Sequence, residues 1–485
     1  MSGHLLPPPC HAHGELWAEC MTLAMLRSPR SHPAAEASGD VTADQTRESA
    51  GRVAGRAMLA RWATSSAGRR FRTLPIGRLL TPRAFWAAFG GFQLMYFAWF
   101  LPVIVGGGVL GDLPLYRLWA MQTLHGGTIP GVTADWVYPL GALSPILLAG
   151  LAGSHWFQLS WLVMTAALDA AASAVLLARG GRRSIAAAWW WLGILFLLSP
   201  VALLRLEGVA APLGLIGLLL IARRPWAAGV LLSVAAWIKV WPIAVLGTML
   251  TSARTRLPAL LSAVAVSAIL LAVAIRAGGL THFASFLTAQ TGRALQLEAP
   301  VTTPWLWAEW LGASGVRIYQ NMEIATREVV GPGTNRVAGI MTPLMAIAVA
   351  LILLLVILAR RGGRDPMEIL LSASLAIVAA MIVFNKVGSP QYVLWLVPVC
   401  AAGLVLGGRR WKGIAILVGV IATMTTLIFP VFYLNLIELQ LGALLLLSGR
   451  NALLISLFGV AVWQLAALAV PSALRGREPA LVLPG

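Results

Sequence analysis

One carboxylate stands apart in this chain. Asp112 lies in Gly111-Asp-Leu-Pro-Leu-Tyr-Arg117 and is the only acidic residue between Glu48 and Asp135. A positioned carboxylate can take a proton from a sugar hydroxyl, and such general bases typically contribute ~10²–10⁴-fold to a rate. Asp followed by Leu-Pro is also a helix N-cap signal. The helix it would cap, over 113–125, carries Leu115, Leu118, Trp119 and Gln122 at helical spacing and would lie on a membrane surface. The two roles are compatible.

Other polar groups could serve the same chemistry. Phe384-Asn-Lys-Val-Gly-Ser-Pro-Gln-Tyr392 places Lys386 between two apolar runs. A lipid phosphate suits that cation, and Gln391 and Tyr392 can hydrogen-bond a sugar; alternatively this is a polar turn whose lysine snorkels. His282, Arg293, Gln296 and Glu298 open a second polar stretch. Arginine forks onto phosphate and histidine pairs with phosphate or carboxylate, unless these side chains are simply solvated. In Asp135-Trp-Val-Tyr-Pro139, Trp136 fits an interfacial anchor, whereas Tyr138-Pro139 can shape a sugar or lipid groove. Asp169, Arg205 and Glu207 lie in or near apolar runs. Charges there are usually paired; a structural role is expected for Asp169, with Lys239 a conceivable partner for it.

The elements that must position these groups follow from composition. Only 11% of the 485 residues are charged and 59% are hydrophobic, with a mean hydropathy of +0.81. Soluble domains carry about 25% charged residues, so a soluble enzyme is excluded, and so much apolar surface excludes disorder over most of the length. The chain reads as an all-α polytopic membrane protein with about 11 to 13 membrane segments. The net charge of 36 − 18 = +18 sits largely in short arginine clusters at 179–183, 223–224, 254–256, 360–364 and 409–412. These mark cytoplasmic turns that meet anionic headgroups.

Residues 1–83 are expected to form a disordered basic cytoplasmic tail, with no signal peptide and a translation start as late as Met21 or Met58. A metal-binding role for Cys10, His11 and His13 is disfavoured there. A membrane domain is expected over 84–471 and a short tail over 472–485. The first span, 84–107, starts inside and ends outside. Further apolar runs lie at 156–178, 184–204, 209–222, 257–277, 337–359, 367–384, 391–408, 412–434 and 452–471, while 138–153 and 436–447 are short for a span. The segment 226–252 has arginines on both flanks and a break at Lys239-Val-Trp-Pro242, as in a shallow broken hairpin, which puts Lys239 toward the cytoplasmic side. The stretches 108–138 and 278–336 are then extracytoplasmic. The three cysteines suggest no disulfide or metal framework. No P-loop, dinucleotide turn, zinc motif or nucleophile elbow occurs. A transferase facing outward would need its donor presented by the membrane.

Taken in order, Gly111-Asp-Leu-Pro-Leu-Tyr116, Tyr138-Pro139, Lys239-Val-Trp-Pro242, Arg293-Ala-Leu-Gln-Leu-Glu298 and Ser389-Pro-Gln-Tyr-Val-Leu-Trp395 resemble glycosyltransferase family 87. The resemblance covers about 84–470. It implies the GT-C fold and a multi-pass protein of the bacterial plasma membrane with an extracytoplasmic site. It implies an inverting transfer of a sugar, mannose first and arabinofuranose second, from a polyprenyl phosphate to a lipid or glycan acceptor. It maps the catalytic base onto Asp112. Donor and acceptor contacts map onto Tyr116, Arg117, Tyr138, Lys239, His282, Arg293, Gln296, Glu298, Lys386, Gln391 and Tyr392. No cofactor or metal is implied, and nucleic acid is not an expected partner. Two positions depart from the family pattern: Leu140 follows Pro139 where a second proline is usual, and Glu207-Gly208 stands where Gly-Gln is usual. A transporter or lipid flippase is the rival from another class, favoured by the intramembrane charges; a non-catalytic scaffold is a third reading.

Overall fold

A computed structural model describes residues 80–469, apart from 253, 290–291 and 323–325. The expected tails, apart from residues 80–83, and with them Cys10, His11 and His13, fall outside the described residues.

The first helix, α1 (Pro82–Val105), begins where Thr81 accepts the Ala84 N–H at 3.2 Å and proline occupies the first turn. It therefore starts two residues before the expected span. The surface helix α2 (Leu113–Leu124) follows. Next come a 3₁₀ turn and α3 (Leu143–Gly150); at about 1.5 Å per residue α3 is too short to cross a bilayer. The long α4 (Phe157–Leu177), α5 (Gly181–Leu198) and α6 (Glu207–Leu220) follow. The broken pair α7 (Pro225–Ile238) and α8 (Ile243–Leu250) has its break at 239–242, where Lys239 is extended and Pro242 cannot continue the helix. Then come α9 (Arg256–Arg276) and a one-turn α10 (Ser285–Thr288).

The stretch expected to be a polar loop holds the first departure from an all-α chain. β1 (Leu295–Gln296), β2 (Arg317–Asn321) and β3 (Thr326–Val330) form an antiparallel sheet in the order β1-β3-β2, with Leu295 opposite Val329 and Tyr319 opposite Glu328. Tyr319 and Asn321 donate to one Glu328 oxygen, at 2.7 and 2.9 Å. Helix α11 (Thr303–Trp310) lies between β1 and β2. Strands this short carry no period-2 signal over enough residues to be seen.

The chain ends with α12 (Thr334–Arg361), α13 (Pro366–Val383), α14 (Val393–Leu406), α15 (Trp411–Thr426), α16 (Tyr433–Ile437) and α17 (Leu441–Ala469). The runs at 436–447 and 452–471 are not separate elements: most of both lies in α17. Arg450 does not interrupt it because Glu298 supplies a counter-charge, 3.5 Å away.

Among the described residues seven helices are long and apolar enough to cross a membrane: α1, α4, α9, α12, α13, α15 with its π turn, and α17. α6, α7 and α14 are shorter apolar helices. α13 is central, with 78% of its apolar window buried, whereas α9 and α12 bury 22% and 17%. The exposed leucines and isoleucines of α12 are what a lipid-facing helix presents. Contact among such helices comes from close packing rather than from the hydrophobic effect. Gly214 lets the Trp241 ring approach to where a Cβ would stand 2.6 Å away, and Gly403 does the same for Trp411.

Asp169 in α4 is 1% exposed, and neither carboxylate oxygen has a hydrogen-bond partner; the Ser173 hydroxyl one turn on also lacks one. Lys239 is committed elsewhere, so the conceivable Asp169–Lys239 pair does not form. A buried unsatisfied polar group costs about 1–3 kcal/mol. Asp169→Leu should therefore raise the thermal midpoint of the purified protein; an unchanged or lower midpoint would show that Asp169 has an interaction the fold needs.

Candidate functional site

The site is built where the ends of α6, α7, α13 and α14 meet α2. Asp112 precedes α2 but does not cap it with its side chain. Pro114 in the first turn has no N–H to offer, and the backbone carbonyl of Asp112 serves the Leu115 and Tyr116 amides instead, both at 3.2 Å. The carboxylate is left to face Arg205, whose Nη2 lies 3.2 Å from Oδ1. The Tyr116 hydroxyl stands 3.5 Å from Oδ2. Asp112 keeps 28% of its side chain exposed, so one edge of the carboxylate stays accessible.

Arg205 joins two segments of the site. Its Nη1 donates to Gln391 Oε1 and reaches Ser389 Oγ at 3.4 Å; its guanidinium stands 6.0 Å from the centre of the Phe429 ring. The stretch before α14 is held in register by close packing. Gln296 N donates to the Lys386 carbonyl at 2.9 Å. A Cβ on Gly388 would sit 2.3 Å from Ala299 N and 2.5 Å from Glu298 C. Gly388→Ala must push this loop off the backbone at 298–299 and displace Lys386 and Gln391. A misplacement of about 1 Å can cost ~10²-fold in rate. We expect a loss of that order in whatever turnover the site supports, with unchanged helical circular dichroism; wild-type turnover would show that the loop does not position the site.

Beside this lies a second charged pair. Glu207 opens α6 and Lys239 closes α7, and Nζ meets Oε1 at 2.9 Å. Trp395 Nε1 approaches the same oxygen at 3.4 Å, and Lys239 stands 4.4 Å from the centre of the Tyr138 ring. Lys239 is thus not toward the end expected from the flanking arginines. The 14 residues of α7 span roughly 21 Å and carry it to the level of Tyr138. Arg223 and Arg224, which follow the other end of α6, lie a helix length away from Asp112 and Arg205. Asp112 and the arginine-rich turn are therefore at opposite ends of the bundle.

Aromatic rings form the floor. Tyr116 and Tyr138 meet edge to face at 6.4 Å, and Tyr392 stacks on Trp395 at 4.1 Å. Burial pushes the Tyr116 and Tyr138 phenols above their ordinary value, with Lys239 opposing at Tyr138. Both are therefore protonated hydroxyls near neutral pH. Arg293 and Lys386 supply a further cationic edge. Burial lowers the Lys386 ammonium, and the neighbouring Arg293 charge pushes it the same way. Arg293 Nε and Gln296 Oε1 are buried without partners. Glu298 is turned to Arg450, whose Nη2 also donates to the Glu298 carbonyl at 3.1 Å.

Two expected site residues are employed elsewhere. Arg117 donates to the Gly107 carbonyl at 2.8 Å and fastens the end of α1. His282 meets the exposed Asp135 at 2.6 Å. Neither touches the cluster around Asp112 among the described residues. Conversely, Arg205 and Glu207, noted from the sequence only as charges in or near apolar runs, stand at its centre. Arg205 had a signal: it is the lone cation at the α5–α6 turn, opposite the arginine-rich ends of the same two helices. No group of three or more His, Cys, Asp or Glu side chains gathers as a metal site among the described residues.

No protein-family model matches the chain. No curated protein matches it. Among solved structures, the crystal structure of ArnT from Cupriavidus metallidurans in the apo state is similar at 15% sequence identity and a TM-score of 0.38, over 79% of this chain and 78% of that chain.

Proposed function

We propose that this protein is a membrane glycosyltransferase of the GT-C type, working on the extracytoplasmic face. It takes a sugar, mannose in the first instance, from a polyprenyl phosphate and passes it to a lipid or glycan acceptor. One observation carries the reading: an accessible carboxylate, Asp112, faces a cationic and aromatic cluster at the end of the bundle opposite the arginine-rich turns. The motif order that resembles glycosyltransferase family 87 supports it, and positive-inside orientation supports the sidedness.

Asp112 takes the proton of an acceptor hydroxyl. The hydroxyl oxygen attacks the anomeric carbon, the bond from that carbon to the phosphate oxygen breaks, and the lipid phosphate leaves with the electron pair. Arg205, Arg293 and Lys386 offset the charge that grows on the leaving phosphate, in a partly dry site where fixed cations act strongly. The Tyr116 and Tyr138 hydroxyls and Gln391 orient the sugar. Such a single displacement inverts the anomeric centre.

The purified protein, given synthetic polyprenyl-phosphate mannose or polyprenyl-phosphate arabinofuranose with a membrane lipid extract, should form a mannosylated lipid detectable by mass spectrometry. An arabinosylated product alone would move the donor to the second sugar; no product from either would overturn the reading.

The lowered Lys386 ammonium sets a pH dependence. A lysine with a depressed pKa loses its charge earlier as pH rises, so its hold on phosphate weakens below the ordinary lysine value of about 10.4. Donor affinity in the wild type should therefore begin to fall with rising pH before the ordinary lysine value is reached, and much less in Lys386→Arg, whose guanidinium stays charged. Identical pH profiles would remove Lys386 from the phosphate contact.

A further inference from the structure

At the opposite end of the bundle a cavity of about 300 Å³ is lined by Arg179, Arg182, Arg183 and Arg223, with Ser184, Val405 and Leu406. It lies between the α4–α5 turn, the first turn of α5, the end of α6 and the end of α14. Among the described residues none of the four arginines is in a salt bridge. Burial lowers the affinity of Arg179 for its proton, and the nearby Arg223 charge lowers it further. Like charges held together without a counter-ion are unfavourable in the empty site. Ser184, which lines the cavity, is 1% exposed.

Backbone geometry adds to the positive potential. Gly180 and Gly181 both take positive φ, 74° and 78°, which lets the chain turn back tightly. Gly180 has no side chain to cap α5, so the first N–H groups of an 18-residue helix stay open for an anion.

We propose that this cavity is a binding site for the phosphate headgroup of an anionic glycerophospholipid. Four guanidinium groups and a serine hydroxyl match a phosphodiester and its glycerol hydroxyls. The volume corresponds to about ten water molecules, enough for a phosphoglycerol group. The apolar wall separates a lipid from free phosphate as the occupant. Val405 and Leu406, in the last turn of α14, are only partly buried, so the apolar first carbons of a lipid can rest on them beside the headgroup. The site is independent of the sugar-transfer reading.

The test is native mass spectrometry of the full-length protein, delipidated in detergent and titrated with phosphatidylglycerol, phosphatidylcholine or inorganic phosphate. Two variants of equal charge loss are compared: R182Q/R223Q in the cavity, and R256Q/R361Q at two exposed arginines outside it. We expect one phosphatidylglycerol retained by the wild type and by R256Q/R361Q, with affinity at least ~10-fold weaker in R182Q/R223Q and for phosphatidylcholine. If R182Q/R223Q is lost to misfolding, R182K/R223K provides the second variant: it keeps the charges, so it should bind phosphatidylglycerol within about threefold of wild type, and loss of binding in this folded variant would contradict the assignment. Equal lipid binding by both glutamine variants would overturn the proposal. So would displacement of the lipid by millimolar inorganic phosphate, which would make the cavity a site for the free ion.

Discussion

Asp112→Asn is expected to lower the turnover of sugar transfer by ~10²–10⁴-fold while leaving donor affinity within about threefold of wild type. The amide keeps the shape of the side chain and one oxygen for the Arg205 contact at 3.2 Å, but it cannot take a proton from the attacking hydroxyl. A split between turnover and binding is the signature of a group that acts only in the transition state. Transfer within threefold of wild type would remove Asp112 as the base. Loss of donor affinity with turnover intact would make it a binding residue.

The second large effect concerns stability. Lys239→Met leaves Glu207 with 1% exposure and no counter-charge, and one Glu207 oxygen has no hydrogen-bond partner even in the wild type. Breaking a buried pair from one side typically costs about 3–5 kcal/mol, whereas replacing both partners is often close to neutral. The single variant should unfold at a clearly lower temperature in detergent, and Lys239→Met with Glu207→Gln should recover most of the loss. Equal destabilisation of the single and double variants would mean that the lysine stem, packed on Tyr138, matters rather than its charge.

The membrane architecture was legible because the long helices are apolar over most of their length and most begin or end beside an arginine-bearing turn. The run at 257–277 became Arg256–Arg276, and the run at 367–384 became Pro366–Val383. The broken hairpin was legible from Pro242 and the arginines on both flanks. Asp112 stood out as a solitary carboxylate after an uncharged span. What stayed hidden depends on partners distant in the chain. The one helix α17 was divided into runs at 436–447 and 452–471; Arg450 lies between them, and the Glu298 that neutralises it is in another segment. Lys239 looked cytoplasmic because flanking charge reports where a hairpin starts and not how deep it reaches. Glu207 could be assigned to Lys239 only once α6 and α7 were seen to pack side by side with these residues at one level. The sheet was hidden for a local reason: its strands have two to five residues, too few for a pattern.

Proteoliposomes carrying the wild-type protein, supplied with β-linked polyprenyl-phosphate mannose labelled in the sugar and with a membrane lipid extract, put the account to its most direct test. It predicts an α-linked mannosyl product and one polyprenyl phosphate released for each sugar transferred. Intact donor carried across the bilayer, with no new glycosidic bond, would contradict it and identify a transporter.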